Sequence, residues 1–250
     1  MLTDAELLRY SRQILLADVD IAGQLKLKHS KVLIVGLGGL GSPVAMYLAA
    51  AGIGELHLAD FDVVDSTNLQ RQVVHTTASE GQLKVASAQA RLQALNPFIQ
   101  VHTHSERLTA ANLEQLVQGM HVVLDCTDNF RIRDDLNAAC FAQQVPWVSG
   151  AAIRLSGQLT VFDPRSADSP CYRCLFAETE DEALGCNEAG VLGPLVGVIG
   201  SLQAAEAIKV LVGFGRSLVG RLLLVDIASS QFRELKLSRD PGCSVCGEPQ

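Results

Sequence analysis

Six residues, Gly36-Leu37-Gly38-Gly39-Leu40-Gly41, directly follow the apolar run Val32-Leu33-Ile34-Val35, and they restrict the fold more than any other stretch. Strand, glycine loop and helix in that order form a βα turn in which bare backbone N–H groups and a helix N-terminus face an anion. Asp60 ends the next apolar strand, Leu56-His57-Leu58-Ala59, where an acid can accept hydrogen bonds from ribose hydroxyls. These features fit any Rossmann-like protein. The run Thr67-Asn68-Leu69-Gln70-Arg71-Gln72 and then Lys84 narrow the reading. Two cations soon after a nucleotide pocket suit a triphosphate, whose developing charge must be neutralised.

The periodicity alternates between strand and helix. A first helix opens at Thr3, with Glu6 in capping-box spacing and Leu7, Tyr10, Ile14 and Leu15 along one side. Helices are expected over Pro43 to Ala51, Lys84 to Leu95, Ala110 to Val117 and Asn129 to Gln143. Strands are expected over Phe98 to His102, His121 to Asp125 and Val145 to Val148. Further on, Gly157 to Phe162, Arg221 to Ile227 and Ser230 to Leu237 read as strands joined by short turns. The expected fold is a Rossmann-like α/β, doubly wound and mainly parallel sheet, extended by antiparallel C-terminal strands. No repeat or linker divides the chain. It reads as one domain over residues 1–250, with a nucleotide-binding half to about 150 and a second half from 151. Ala177 to Gly190 lacks periodicity and reads as a mobile crossover loop.

Charge and hydropathy exclude other classes. With 250 residues the chain has an ample core, and a formal charge of −7 argues against nucleic-acid binding, which relies on excess Lys and Arg. The N-terminus has neither a basic region nor an apolar core, so a cytoplasmic protein is expected. The most apolar segment, Val191 to Gly200, falls short of the ~20 residues a membrane span needs, and is expected to be a buried helix or a subunit interface.

Cys171-Tyr172-Arg173-Cys174 and Cys243-Ser244-Val245-Cys246 are two CxxC pairs, together able to close a tetrahedral zinc site. Four thiolates leave no open position, so the expected role is structural, tying the C-terminal tail to the region of residues 157–162. Redox pairs are the competing reading. Cys140 is expected in the core, and Cys126 near the pocket but inert. Cys186 is open to two readings, an ordinary loop cysteine or a thiol that attacks an activated acyl group or carries sulfur; its acidic neighbours do not lower its pKa. The six histidines show no metal spacing and are expected to be structural.

The glycine loop, Asn68-Leu69-Gln70-Arg71-Gln72, Asp125-Cys126-Thr127-Asp128-Asn129 and both CxxC pairs, in this order, resemble the MoeB/ThiF family of ubiquitin-activating-enzyme-like adenylyltransferases. The resemblance runs from Arg9-Tyr10-Ser11-Arg12-Gln13 to the last CxxC pair. Ser149-Gly150-Ala151-Ala152-Ile153-Arg154 and Glu188-Ala189-Gly190-Val191 look closest to the molybdopterin-synthase adenylyltransferase branch, while Leu58-Ala59-Asp60 is also similar to the thiamine branch. The family reaction joins ATP to the C-terminal Gly-Gly carboxylate of a ubiquitin-like sulfur carrier, for later attack by sulfur from a separate sulfurtransferase. By resemblance, Gly39 and Gly41 belong to the loop against the α-phosphate, and Asp60 holds the ribose. Thr67, Asn68, Leu69, Gln70, Arg71 and Lys84 belong to the nucleotide site, with Asn68, Arg71 and Lys84 on the phosphates. Asp128 positions Mg²⁺ with Asn129 adjacent, and Arg12 reaches into the ATP site of the second subunit of a homodimer. The bland alternatives are a turn residue at Asp60, an N-cap at Asp128, and surface cations at Arg12, Arg71 and Lys84. A nicotinamide-dependent oxidoreductase and a non-catalytic zinc-stapled scaffold are the competing functions.

Overall fold

The computed structural model describes residues 1–176 and 189–247. Eight strands form one sheet: β1 Lys31–Val35, β2 Glu55–Ala59, β3 Gln100–His104, β4 Val122–Asp125, β5 Trp147–Ile153, β6 Ser156–Phe162, β7 Arg221–Asp226 and β8 Gln231–Lys236. Their order is β3-β2-β1-β4-β5-β6-β7-β8. The first five are parallel and the last three antiparallel, as the sequence reading expected. The strand order reverses between β1 and β4, which stay parallel, and such a switch point opens a crevice at the carboxyl ends of the strands.

The helices are α1 Asp4–Arg9, α2 Ser11–Ile14, α3 Asp20–Lys28, α4 Gly41–Ala51, α5 Lys84–Leu95, α6 Ala110–Val117, α7 Phe130–Ala142, α8 Tyr172–Leu175 and α9 Gly193–Val212. Both faces of the parallel sheet are covered, which explains the unbroken apolar run of β1. Val32 and Ile34 point into a core shared with α4, α5 and α9. Leu33 and Val35 point into a second core with Val123, Trp147 and residues of α6 and α7.

The structure departs from the sequence reading at four places. The first helix breaks at Tyr10, whose buried ring lies over Gly52 and whose hydroxyl accepts from Asn96 Nδ2 at 2.8 Å. Leu15 accordingly does not join the buried side and is 74% exposed. Strand β3 starts two residues late because the Asn96 side chain accepts from Phe98 N at 3.1 Å and turns the chain. Strand β5 starts at Trp147, since Val145 N closes the end of α7 on Cys140 O at 2.9 Å.

The fourth departure is α9. Its 20 residues, with mean hydropathy 1.7, are long and apolar enough to cross a membrane by length and composition, whereas the expectation of too short a segment covered only Val191 to Gly200. Half of them are buried inside the fold. Two buried polar side chains on α9 have partners in the protein: Gln203 Nε2 donates to Asp125 O at 2.6 Å, and Glu206 accepts from Leu218 N at 2.8 Å. The expectation of a buried helix is met.

Candidate active site and candidate metal centre

A cleft of about 1570 Å³ opens at the switch point. Its floor is the loop between β1 and α4. Gly36 has φ +89°, and a Cβ on Gly41 would lie 1.9 Å from Gly36 O, so this tight turn requires glycine at both positions. Gly41 therefore shapes the loop from behind, while Gly36, Gly38 and Gly39 line the cleft. The loop is braced from two sides. Leu37 N donates to Asp60 Oδ2 at 2.7 Å, and His75, 3.0 Å from Ser87 Oγ, places its Nε2 3.0 Å from Leu37 O. Burial lowers the His75 pKa and keeps the ring neutral, so Nε2–H donates to that carbonyl.

Asp60 sits at the end of β2 as expected and lines the cleft. Its other oxygen accepts from Asp62 N at 2.9 Å. Burial pushes its carboxyl above the usual carboxylate range, against the opposing pull of Lys84. Lys84 is the first residue of α5 and is buried, with Nζ 2.9 Å from Asp62 Oδ2. It is not a surface cation: its side chain is 7% exposed although it also lines the cleft. Such a lysine is held in place before any ligand arrives.

Thr67, Asn68, Arg71 and Gln72 line the next wall. Asp65 caps that turn by accepting from Thr67 N at 2.8 Å, and Arg71 donates to Asn68 Oδ1 at 2.8 Å. Leu69 and Gln70 are not among the lining residues, and the Gln70 carbonyl packs toward Gly193 at the start of α9. Asp128 and Asn129 form part of the lining from the β4–α7 connection. Asn129, not Asp128, caps α7: its Oδ1 accepts from Arg131 N at 2.9 Å and Ile132 N at 3.3 Å. This corrects the capping alternative for Asp128. Arg12 is the exposed residue of α2 and does not line the cleft of its own chain.

Sequence reasoning missed the group beneath this wall. Asp125 is fully buried and accepts from Arg133 Nε at 3.0 Å, Ser149 Oγ at 3.0 Å, Thr127 N at 3.0 Å and Thr127 Oγ1 at 2.7 Å. Arg133 also donates to Thr127 O at 2.5 Å, so one ion pair fixes the segment that carries Asp128. The available signal was Arg133 in the same helical stripe as Leu136, Asn137 and Cys140, where an arginine needs a buried partner. Arg107 was missed too; its guanidinium lies 4.0 Å above the Phe61 ring, and both residues line the cleft. Cys126 also lines the cleft, but burial raises its pKa well above the ordinary value and the thiol stays protonated, as expected. Cys140 is buried in the core. Cys186 lies outside the described residues.

Away from the cleft, the two CxxC pairs meet. Cys171 and Cys243 have sulfurs 3.5 Å apart, Cys174 and Cys246 3.3 Å, and all four lie within 4.8 Å of one another. These distances are too long for disulfides, whose sulfurs sit ~2.05 Å apart, and all four cysteines are free. Tetrahedral zinc with Zn–S of ~2.3 Å needs sulfurs roughly 3.8 Å apart, close to what is seen. Asn137 Nδ2 and Asp240 N point at Cys171 and Cys174 from 3.6 and 3.4 Å, the kind of outer bonds that orient thiolates. The donor set therefore fits zinc, and it ties the turn around α8 to the tail after β8.

A parallel sheet with a phosphate-type glycine loop, fixed cations at the switch point and a separate four-thiolate set defines a nucleotide-binding α/β protein with a candidate structural metal. The comparisons make the class specific. Residues 10–245 match the ThiF family, and the chain belongs to it. It is 53% identical to the molybdopterin-synthase adenylyltransferase of Escherichia coli (strain K12), over 99% of each chain. It is 49% identical to the sulfur carrier protein ThiS adenylyltransferase of the same organism, over 98% of this chain and 97% of that one. The crystal structure of E. coli MccB with ATP superposes with a TM-score of 0.85 at 25% identity, covering 96% of this chain and 75% of the other.

Proposed function

We propose that this protein adenylates the C-terminal glycine of a small ubiquitin-like sulfur carrier, the small subunit of molybdopterin synthase, with ATP as co-substrate. The observation that carries the reading is the end-to-end match, at 53% identity, to a molybdopterin-synthase adenylyltransferase. A nicotinamide reading leaves Arg71, Lys84 and Asp128 in one cleft without a purpose. The match to a ThiS adenylyltransferase supports the thiamine sulfur carrier as the alternative substrate.

In this reading the chain is one domain: residues to about 150 bind nucleotide, and those from 151 receive the carrier and hold the zinc. The carrier's terminal carboxylate oxygen forms a bond to the α-phosphorus of ATP. The bond from that phosphorus to the bridging oxygen breaks, and pyrophosphate leaves with the electron pair. Two anions must meet and the leaving group gains charge, so fixed cations lower the barrier. The loop N–H groups of Gly38 and Gly39 face the α-phosphate, Asp60 takes the ribose, and Asn68, Arg71 and Lys84 hold the phosphates. Asp128 is the residue that would hold Mg²⁺, which supplies further charge neutralisation when bound. Arg12 does not line its own cleft and, in this reading, serves the cleft of a second copy. Leu8, Leu15, Leu16 and Ile21, 79%, 74%, 56% and 53% exposed, lie along the segment from α1 to α3 and supply apolar surface that such a homodimer could bury. Nucleophilic sulfur from a separate sulfurtransferase then attacks the acyl carbon and AMP leaves, in the cytoplasm.

ATP–pyrophosphate exchange with each purified carrier tests the proposal. Exchange that requires the molybdopterin carrier and its terminal glycine supports it. Exchange with the thiamine carrier alone moves the substrate to the alternative, and none with either overturns it.

A further inference from the structure

We propose that Glu55, His57 and His102 form a second transition-metal site, on the open edge of the sheet and independent of the four cysteines. Glu55 and His57 are two residues apart on β2 and so share a face; His102 is the register partner of His57 on β3. One ligand atom from each of the three lies within 4.8 Å of the other two. His57 Nε2 stands 3.8 Å from Glu55 Oε2, beyond hydrogen-bond reach, and is a buried nitrogen with no hydrogen-bond partner. An orphaned buried ring nitrogen facing a carboxylate at this separation is the arrangement that an ion bound at ~2.1 Å from each atom satisfies, once the side chains rotate toward it.

The outer contacts prepare the site. His57 Nδ1 lies 3.2 Å from His104 Nε2, with the two rings 11° from coplanar. In the tautomer that carries its proton on Nδ1, His57 donates to His104 and keeps its Nε2 lone pair free for an ion beside Glu55. His102 is held by stacking on His57, ring centroids 4.6 Å apart. Lys31 is the competitor, with Nζ 3.1 Å from Glu55 Oε2. Its side chain is 45% exposed, and an exposed pair of this kind is weak enough for a divalent ion to displace. Two imidazoles and one carboxylate select Zn²⁺, Ni²⁺ or Cu²⁺ over Mg²⁺ or Ca²⁺. Bound there, the ion crosslinks the edge strand β3 to β2, whose far end carries Asp60.

The test is calorimetric titration of Ni²⁺ into protein whose cysteine set is already loaded with zinc, for wild type, Glu55→Gln and His102→Asn. The expected result is one equivalent of Ni²⁺ per chain in wild type, weakened about 100-fold or more in each variant, beyond the 10- to 100-fold typical of lost outer partners. Ni²⁺ should raise the melting temperature of wild type and of neither variant, while ATP–pyrophosphate exchange by the variants stays at the wild-type level and shows that they fold. Absence of binding to wild type overturns the site. So does binding that survives in both variants.

Discussion

Lys84 enters the cleft as the first residue of α5, its stem buried and its ammonium against Asp62. Preorganised groups of this kind are worth about 100-fold or more in rate. Lys84→Ala is therefore expected to lower ATP–pyrophosphate exchange by at least that factor, with folding checked by circular dichroism. Asp125 makes a different prediction. Asp125→Ala leaves Arg133 buried without its carboxylate and should cost about 3–5 kcal/mol in urea unfolding, as broken buried pairs do. His75 predicts a pH dependence. Its folded pKa is lowered by burial from the ordinary 6.5, so its contribution to stability is complete above 6.5 and is lost as pH falls below it. His75→Phe should flatten the melting temperature below pH 6.5 relative to wild type. The positions of Asp60, Arg71 and Lys84 were legible in the sequence because each follows a motif of fixed spacing. Arg133 was not, because its partner Asp125 is adjacent only once β4 and α7 pack.

At the scale of elements, α5 and α6 begin and end where the sequence placed them, since Asn96-Pro97 stops one and Thr109 caps the other. Helix α3 was not read from the sequence, although Asp20 Oδ1 accepts from Ala22 N and Gly23 N in its first turn. It opens at Asp20, which has φ +50°, and its amphipathic contrast is weak. Its packing against α9, through Gly23 beside Val212, is a tertiary fact that no local pattern carries. The two CxxC pairs were legible as a set, but their meeting depends on the antiparallel strands that return the tail beside α8. Removing the metal should free that tail first. Cys243→Ser, or a strong chelator, is expected to lower the melting temperature by about 5 °C or more and to expose the chain after β8 to limited proteolysis. A tail equally protected with and without metal would contradict a structural centre.

At the scale of the whole molecule, the cleft of one chain lacks the arginine that the family resemblance assigns to it, because Arg12 is exposed on α2 and does not line that cleft. A homodimer resolves this if each copy lends Arg12 to the other. Mixing Arg12→Ala with Lys84→Ala then creates heterodimers with one complete site out of two. Exchange activity should recover to about a quarter of wild type, as random assortment of a symmetric dimer requires. No recovery would place Arg12 outside the shared site. The measurement that tests the central claim most directly is the fate of the phosphates of ATP. The protein is incubated with the molybdopterin-synthase carrier and ATP labelled at the α- or at the γ-phosphate, and the carrier is then isolated. Attack at the α-phosphorus predicts label on the carrier from α-labelled ATP only, with the γ-label recovered as pyrophosphate. Label on the carrier from the γ-position, or none from either, would contradict the account.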